Sequence, residues 1–291
     1  MDDVRKTVDI LIPTYRPGPE FAELLRRLAG QHYPLHQVLI TNTEQEYWDP
    51  SWETILPGCR VRHIRKEEFN HGGTRRQMAA ASGADIFVCM TQDALPADQE
   101  LLDNLVKAFD HPRVKAAYAR QLPRKDSSLL ESLTRTFNYP AESRVKTKDD
   151  LKTLGIKTFF CSDVCAAYER TTYLELGGFP EHVNFNEDMI FASRIIEAGY
   201  GVAYVAEARV IHSHNYTGRQ QFHRNYELAV SQAEHPEVFA QYPSEGEGMR
   251  LVKQTAGAVC RKGKPWLLFP LAWQSACKYI GYRMGKRKKR I

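Results

Sequence analysis

No run in this chain approaches the ~20 consecutive apolar residues that a membrane-spanning helix needs, although 43% of its 291 residues are hydrophobic. The start, Met1-Asp2-Asp3, lacks the basic region and apolar stretch of a secretory signal. Together these absences predict a cytoplasmic protein. Cysteine is sparse and unpatterned. Cys59, Cys89, Cys161, Cys165, Cys260 and Cys277 form no CxxC pair and no compact framework, so reduced core thiols are expected. No Gly-Lys-Ser/Thr follows a glycine-rich loop and no GxGxxG opens a helix, which leaves P-loop and dinucleotide chemistry without support. A surplus of one charge is also missing from most of the chain. The formal net charge is +5, and Arg283, Lys286, Arg287, Lys288, Lys289 and Arg290 exceed it by themselves. The body is therefore nearly neutral, and no nucleic-acid surface is indicated.

What the sequence does contain is alternation. Val8 to Ile12 is a short apolar run ending at Pro13-Thr14, followed by Phe21, Leu24, Leu25 and Leu28 at helical spacing, then Gly30. Val38 to Ile40 and Val61 to Ile64 read as strands, and Gly72 to Ser82 as a helix. Ile86 to Met90 is continuously apolar, as a strand covered on both faces should be. Leu101, Leu102, Leu105, Val106 and Phe109 make another helical stripe, and Val114 to Tyr118 another strand. This order predicts an α/β fold with a mainly parallel sheet flanked by helices. Its ligands should gather at the strands' carboxyl ends, in the loops after Ile12, Ile40 and Met90. Residues 121–157 are polar and basic, suggesting a helical excursion or a mobile loop. Strand-like runs resume at Val164 to Tyr168, Val202 to Val205 and Arg209 to Ile211, with a helix starting near Glu187.

Several residues could carry chemistry. Asp93, in Thr91-Gln92-Asp93, leaves the end of the Ile86–Met90 strand, where a carboxylate sharing phosphate oxygens could hold Mg²⁺ or Mn²⁺. Glu187-Asp188 opens a helix behind Gly177-Gly178-Phe179-Pro180, where the helix dipole favours anions and one carboxylate could act as a base. His212 and His214 stand two apart in an extended segment and so face one side. In Asn70-His71-Gly72-Gly73-Thr74-Arg75-Arg76, glycines permit close backbone approach and arginine suits phosphate oxygens. At the C-terminus, Trp266, Leu267, Leu268, Phe269, Leu271 and Trp273 adjoin the basic tail, a pattern suited to an interfacial membrane anchor.

Taken in order, Ile12-Pro13-Thr14-Tyr15, Phe69-Asn70-His71-Gly72-Gly73-Thr74-Arg75, Thr91-Gln92-Asp93-Ala94, Gly177-Gly178-Phe179, Asn186-Glu187-Asp188 and His212-Ser213-His214-Asn215-Tyr216 resemble the inverting, metal-dependent glycosyltransferases of the GT-A fold, family 2. Within that family they look like the bacterial rhamnosyltransferases that build surface polysaccharides. The resemblance implies a GT-A catalytic domain over 1–220, with a nucleotide-binding half (about 1–120) and an acceptor half (about 121–220), and a helical extension over 221–291. It implies that Pro13, Thr14, Tyr15, Asn42, Arg75, Gln92 and Asp93 bind a nucleotide-diphosphate sugar, with Asp93 and His212 on the metal. It implies Asp188 as base, with Glu187 beside it, and Ser162, Asp163 and His214 near the acceptor. Thymidine diphosphate-rhamnose is the implied donor and a lipid-linked glycan the acceptor, at the inner face of the cell membrane. Thr91 departs from the family's first DxD acid, and Thr41-Asn42-Thr43 from its acidic base-reading turn. A nucleotidyltransferase on the same fold and a non-catalytic scaffold of polysaccharide assembly are the alternatives.

Overall fold

The computed structural model describes residues 5–242 and 245–288. Strand and helix alternate first: β1 (Val8–Tyr15), α1 (Glu20–Ala29), β2 (Gln37–Thr43), β3 (Cys59–Ile64), α2 (His71–Ala81), β4 (Ile86–Met90), the short β5 (Leu95–Pro96), α3 (Leu101–Lys107) and β6 (Val114–Leu122). Then come α4 (Leu129–Asn138), β7 (Arg144–Lys146), α5 (Leu151–Leu154), β8 (Cys165–Glu169), α6 (Arg170–Glu175), α7 (Glu187–Glu197) and β9 (Gly201–Ile211). The chain continues in α8 (Gly218–Glu234), α9 (Pro236–Phe239), α10 (Glu245–Arg261) and α11 (Leu268–Arg287).

The strands form one sheet in the order β3-β2-β1-β4-β8-β6-β9-β5, with β7 also on β9. β3, β2, β1 and β4 run parallel, as do β6 and β9, while β8 is inserted antiparallel between β4 and β6. Period-two geometry explains the two cores. Val8, Ile10 and Ile12 of β1 and Ile86, Val88 and Met90 of β4 pack with α1 and α3 on one face. Leu11, Phe87 and Cys89 point the other way, into a core closed by Phe179, Phe191 and Ile195. Every residue of β4 is buried, which is why that run has no polar alternation.

Two expectations need correction, and one open choice is decided. The segments Val202–Val205 and Arg209–Ile211 are one strand, β9, whose register against β6 shifts between Ala119 and Arg120. Of the two readings of the polar stretch after 121, the helical excursion holds: it contains α4, whose Ser128 caps the Glu131 amide, and also β7. Cysteines are free, as expected, but Cys260 is exposed rather than part of a core. Of the basic tail, Lys289 and Arg290 lie outside the described residues.

Close backbone approach decides how α2 sits. A Cβ on Gly72 would lie 2.3 Å from the Pro180 carbonyl oxygen, and one on Gly73 2.6 Å from that of Glu181. The Gly72 amide donates to the Val183 carbonyl at 2.9 Å. The paired glycines thus dock α2 against the segment leading into α7. The C-terminal helices use the same device: Gly281 and Gly285 of α11 meet the Phe222 and Tyr226 carbonyls of α8. Gly72→Ala should therefore destabilise the fold by about 1–3 kcal/mol, the typical cost of overpacking. Gly83→Ala, which meets nothing within 4 Å, should be close to neutral. Urea unfolding of both variants checks this, and equal midpoints would contradict it.

Candidate active site

The carboxyl ends of β1, β2 and β4 converge because parallel register aligns Thr14 with Asn42 and Leu11 with Cys89. The Thr14 hydroxyl donates to Asn42 Oδ1 at 2.9 Å, and Asn42 Nδ2 reaches the Glu44 carbonyl and His63 Nδ1, each at 3.1 Å. Gln92 closes the gap between β1 and β4: its Oε1 accepts from the Tyr15 amide at 2.8 Å, and its Nε2 donates to the Tyr15 carbonyl at 3.1 Å. Pro13, Thr14, Tyr15, Asn42 and Gln92 thus form one rim. The Tyr15 ring is partly exposed there and stands edge-on to Tyr47, with the Arg16 guanidinium over both rings.

Asp93, His212 and His214 form a second cluster. His214 Nε2 lies 3.1 Å from Asp93 Oδ2 and 3.2 Å from His212 Nε2, and His212 Nε2 lies 3.6 Å from the same carboxylate oxygen. The three donor atoms all fall within 4.8 Å of one another. His214, expected near the acceptor, is thus on Asp93. Burial pushes the His212 imidazole down to about 3 against the pull of Asp93, so the ring is neutral. Burial also opposes ionisation of Asp93, but the His214 hydrogen bond and the neighbouring rings outweigh it and hold the carboxyl below its usual range. Gln121 Oε1 faces His212 Nδ1 at 3.0 Å. Since Nδ1–H must donate to that oxygen, the Nε2 lone pair is left facing Asp93's side. Two imidazoles and one carboxylate with converging donor atoms suit a divalent cation, which would replace the proton that His214 shares with Asp93.

The third cluster surrounds Asp188. Arg75, expected beside the nucleotide, is only 3% exposed. Its Nη1 donates to Glu187 Oε1 at 2.9 Å and its Nε lies 3.4 Å from Asp163 Oδ2. Asp163 is buried as well, and its Oδ1 accepts from the Tyr168 hydroxyl at 2.6 Å. Asp188 Oδ1 accepts from the Met189 amide at 2.7 Å and Oδ2 from the Asp163 amide at 3.2 Å. Desolvation raises the Asp188 carboxyl well above its ordinary range, and the charges of Asp163 and Glu187 add to this, against the two amide donors. Asp163 is also raised, by burial and by Glu187, although Arg75 opposes. Glu187 and Asp188 therefore differ in setting: one is paired with a guanidinium, the other is partly exposed and proton-hungry.

Two residues connect the clusters that sequence reasoning passed over. Gln121 Nε2 donates to the Ser162 hydroxyl at 3.0 Å and to the Tyr139 hydroxyl at 2.6 Å while its oxygen holds His212. Gln121 follows Arg120 in a strand that also carries Lys115, so no local pattern marked it. Lys146 is buried too, and donates to the Lys157 and Phe160 carbonyls just before Ser162. Burial lowers its ammonium to about 7.

The sequence from residues 9 to 177 matches the model of Glycosyl transferase family 2. The chain is 39% identical over 282 residues to the O-antigen chain rhamnosyltransferase RfbN of Salmonella typhimurium, covering 96% of this chain and 89% of that one. It is 43% identical over 283 residues to the O-antigen chain rhamnosyltransferase WbaN of Salmonella anatum, covering 95% and 88%. In three dimensions it resembles the mannosyltransferase PcManGT of Pyrobaculum calidifontis, solved with GDP-Man and Mn²⁺, with a TM-score of 0.60 at 20% identity over 96% of this chain and 76% of that one. TarS 1–349 of S. aureus is similar at a TM-score of 0.55, with 13% identity over 96% and 90%. With its GT-A sheet and its match over most of both relatives, the chain is a glycosyltransferase and belongs to glycosyl transferase family 2.

Proposed function

We propose that the protein transfers a rhamnosyl residue from a nucleoside-diphosphate donor to a lipid-linked glycan, with inversion, in the synthesis of a surface polysaccharide. Thymidine diphosphate-rhamnose is the donor this reading assigns. One observation supports it above the others: His212 bonds Gln121, Gln121 bonds Ser162, and the next amide, Asp163, bonds Asp188. The cluster fit for a cation and the carboxylate fit for a base are thus held in one frame. The rhamnosyltransferase relatives supply the sugar.

In this reading the rim of Pro13, Thr14, Tyr15, Asn42 and Gln92 takes the nucleoside. Asp93, His212 and His214 hold the cation, and their mixed imidazole and carboxylate set favours Mn²⁺ over Mg²⁺, which prefers oxygen ligands. Bound there, the cation would neutralise charge on the departing diphosphate. Asp188 accepts the proton of the acceptor hydroxyl as its oxygen attacks the anomeric carbon and the bond to the diphosphate breaks. Its two oxygens are fixed by amides, so a lone pair is already aimed. Glu187 acts through Arg75, as a positioning residue; Ser162 lines the acceptor side, while Asp163, its carboxylate buried against Arg75 and Tyr168, positions Asp188 through its amide.

The membrane part of the reading rests on α11 and the turn that leads into it. Trp266, Phe269 and Trp273 are 65%, 81% and 61% exposed, and exposed Arg261, Lys262, Lys264, Arg283, Arg287 and Lys288 flank them. Among the described residues no helix is long and apolar enough to cross a membrane. The helix would lie in the interface, with its rings among headgroups and its cations on anionic lipid.

Four outcomes test this function. Asp188→Asn should bind the donor normally in calorimetry yet lose transfer by about 10²–10⁴-fold. Wild-type kcat/KM should rise with pH to a plateau, because the raised carboxyl must ionise before it can accept a proton, and the rise should begin above the ordinary carboxylate range. Wild-type turnover by Asp188→Asn removes it as the base, and release of pyrophosphate instead of nucleoside diphosphate would indicate nucleotidyl transfer. In a metal titration, His214→Ala should raise the Mn²⁺ needed for half-maximal activity at least about tenfold; an unchanged requirement excludes His214 from the metal. Phe269→Ser with Trp266→Ser should weaken sedimentation with phosphatidylglycerol vesicles and leave transfer to a soluble acceptor intact. Unchanged sedimentation removes the anchor.

A further inference from the structure

Arg224, exposed and two turns into α8, stands apart from the other arginines of the site. Its guanidinium carbon lies 4.8 Å from the centre of the Tyr216 ring and 5.6 Å from that of Phe185. Tyr216 follows the two imidazoles in sequence and leans on His214, with ring centres 5.0 Å apart. Phe185 directly precedes Asn186-Glu187-Asp188, and its ring neighbours His71, the residue that contacts Arg75. One aromatic from the cation-binding loop and one from the base-bearing loop therefore bracket a single guanidinium. Its positive charge is felt on both sides, by His71 and by His212.

The neighbouring arginines are committed. Arg75 holds Glu187, Arg135 holds Glu131 and Gln121, and Arg76 holds the carbonyls of Gly177 and Phe179. Arg224 has no such partner: among the described residues no carboxylate pairs with it and no acceptor takes its N–H groups. Stacking fixes the plane of a guanidinium while leaving its hydrogen-bonding edge open. A guanidinium of that kind, held between the ring that leans on His214 and the ring that precedes the Glu187-Asp188 turn, matches an anion with several oxygens, which can take two parallel hydrogen bonds.

We infer that Arg224 is a diphosphate clamp. It takes non-bridging oxygens of the nucleoside diphosphate from the side opposite Asp93 and stabilises the charge that collects there as the sugar leaves. No bond to Arg224 forms or breaks; its contribution is electrostatic and rests on the donor reading given above. A diphosphate on the acceptor lipid offers the same chemistry, so the experiment must separate the two.

The test is calorimetry on the full chain with Mn²⁺, titrating thymidine or uridine diphosphate and the matching monophosphates into wild type, Arg224→Gln and Arg224→Lys, with melting temperatures alongside. The clamp predicts that Arg224→Gln loses about tenfold or more in diphosphate affinity, the worth of a charged hydrogen bond. Monophosphate affinity and melting temperature should stay unchanged, and Arg224→Lys should recover part of the loss. In turnover, donor KM should rise or kcat fall while acceptor KM holds. Equal losses for both nucleotides with a lower melting temperature would make Arg224 a structural staple and overturn the clamp. Unchanged diphosphate affinity with a raised acceptor KM would move the contact to the acceptor lipid and overturn the donor assignment. Wild-type protein that binds no nucleotide would overturn the donor reading itself, whereas normal wild-type binding with an unaffected Arg224→Gln would overturn the clamp alone.

Discussion

One buried guanidinium holds this site together. Among the described residues, Arg75 of α2 is the one cation set among Asp163, from the segment before β8, and Glu187 and Asp188, from the first turn of α7. Leaving such carboxylates in the interior without a partner costs on the order of 3–5 kcal/mol. Their mutual repulsion would also force them apart. Arg75 is raised further in basicity because Glu187 and Asp163 outweigh its own burial. The glycines beside it bring α2 close enough to make the contact, and Arg76 ties down the Gly177 and Phe179 carbonyls ahead of α7. The Asn-His-Gly-Gly-Thr-Arg-Arg segment is therefore a bracket for the α7 entrance.

The charge distribution follows from that bracket. Three carboxylates share one counterion, so the one nearest solvent, Asp188, is pushed toward proton affinity. On the other side of Gln121 the logic runs in reverse: Asp93 stays anionic and His212 stays neutral. In the function proposed above, the Asp93 cluster serves as the donor end, prepared for positive charge, and the Asp188 cluster as the acceptor end, prepared to receive a proton. Asn186 shows how tightly the entrance to α7 is built. It stands at the N-cap of α7 in the left-handed region (φ 66°), and its side chain reaches across to the Leu228 carbonyl of α8 rather than capping its own helix.

Much of this was legible in the sequence, and the limits are physical. The strands β1, β2 and β4 and the helices α1 and α7 follow from local periodicity, and the crevice follows from parallel strand order. Asp93, Asp188 and His212 sit at element ends where side chains point into that crevice. The pairing of Arg75 with Glu187 was not legible because its partner is 112 residues away, and no local pattern marks it. Gln121 was passed over for the same reason, its imidazole lying 91 residues on. His214 was separated from Asp93 because period-two spacing gives a shared face but not the neighbour that face meets. The antiparallel β8 and the unbroken β9 depend on pairing, which single-strand patterns do not encode.

The most direct test of the Arg75-centred account is the pH dependence of kcat/KM in Glu187→Gln beside wild type. If the crowded carboxylates set the basicity of Asp188, removing the Glu187 charge lowers its proton affinity, and the rising limb moves to lower pH. A limb that stays where it is, or moves to higher pH, would contradict the claim that this cluster makes Asp188 the base.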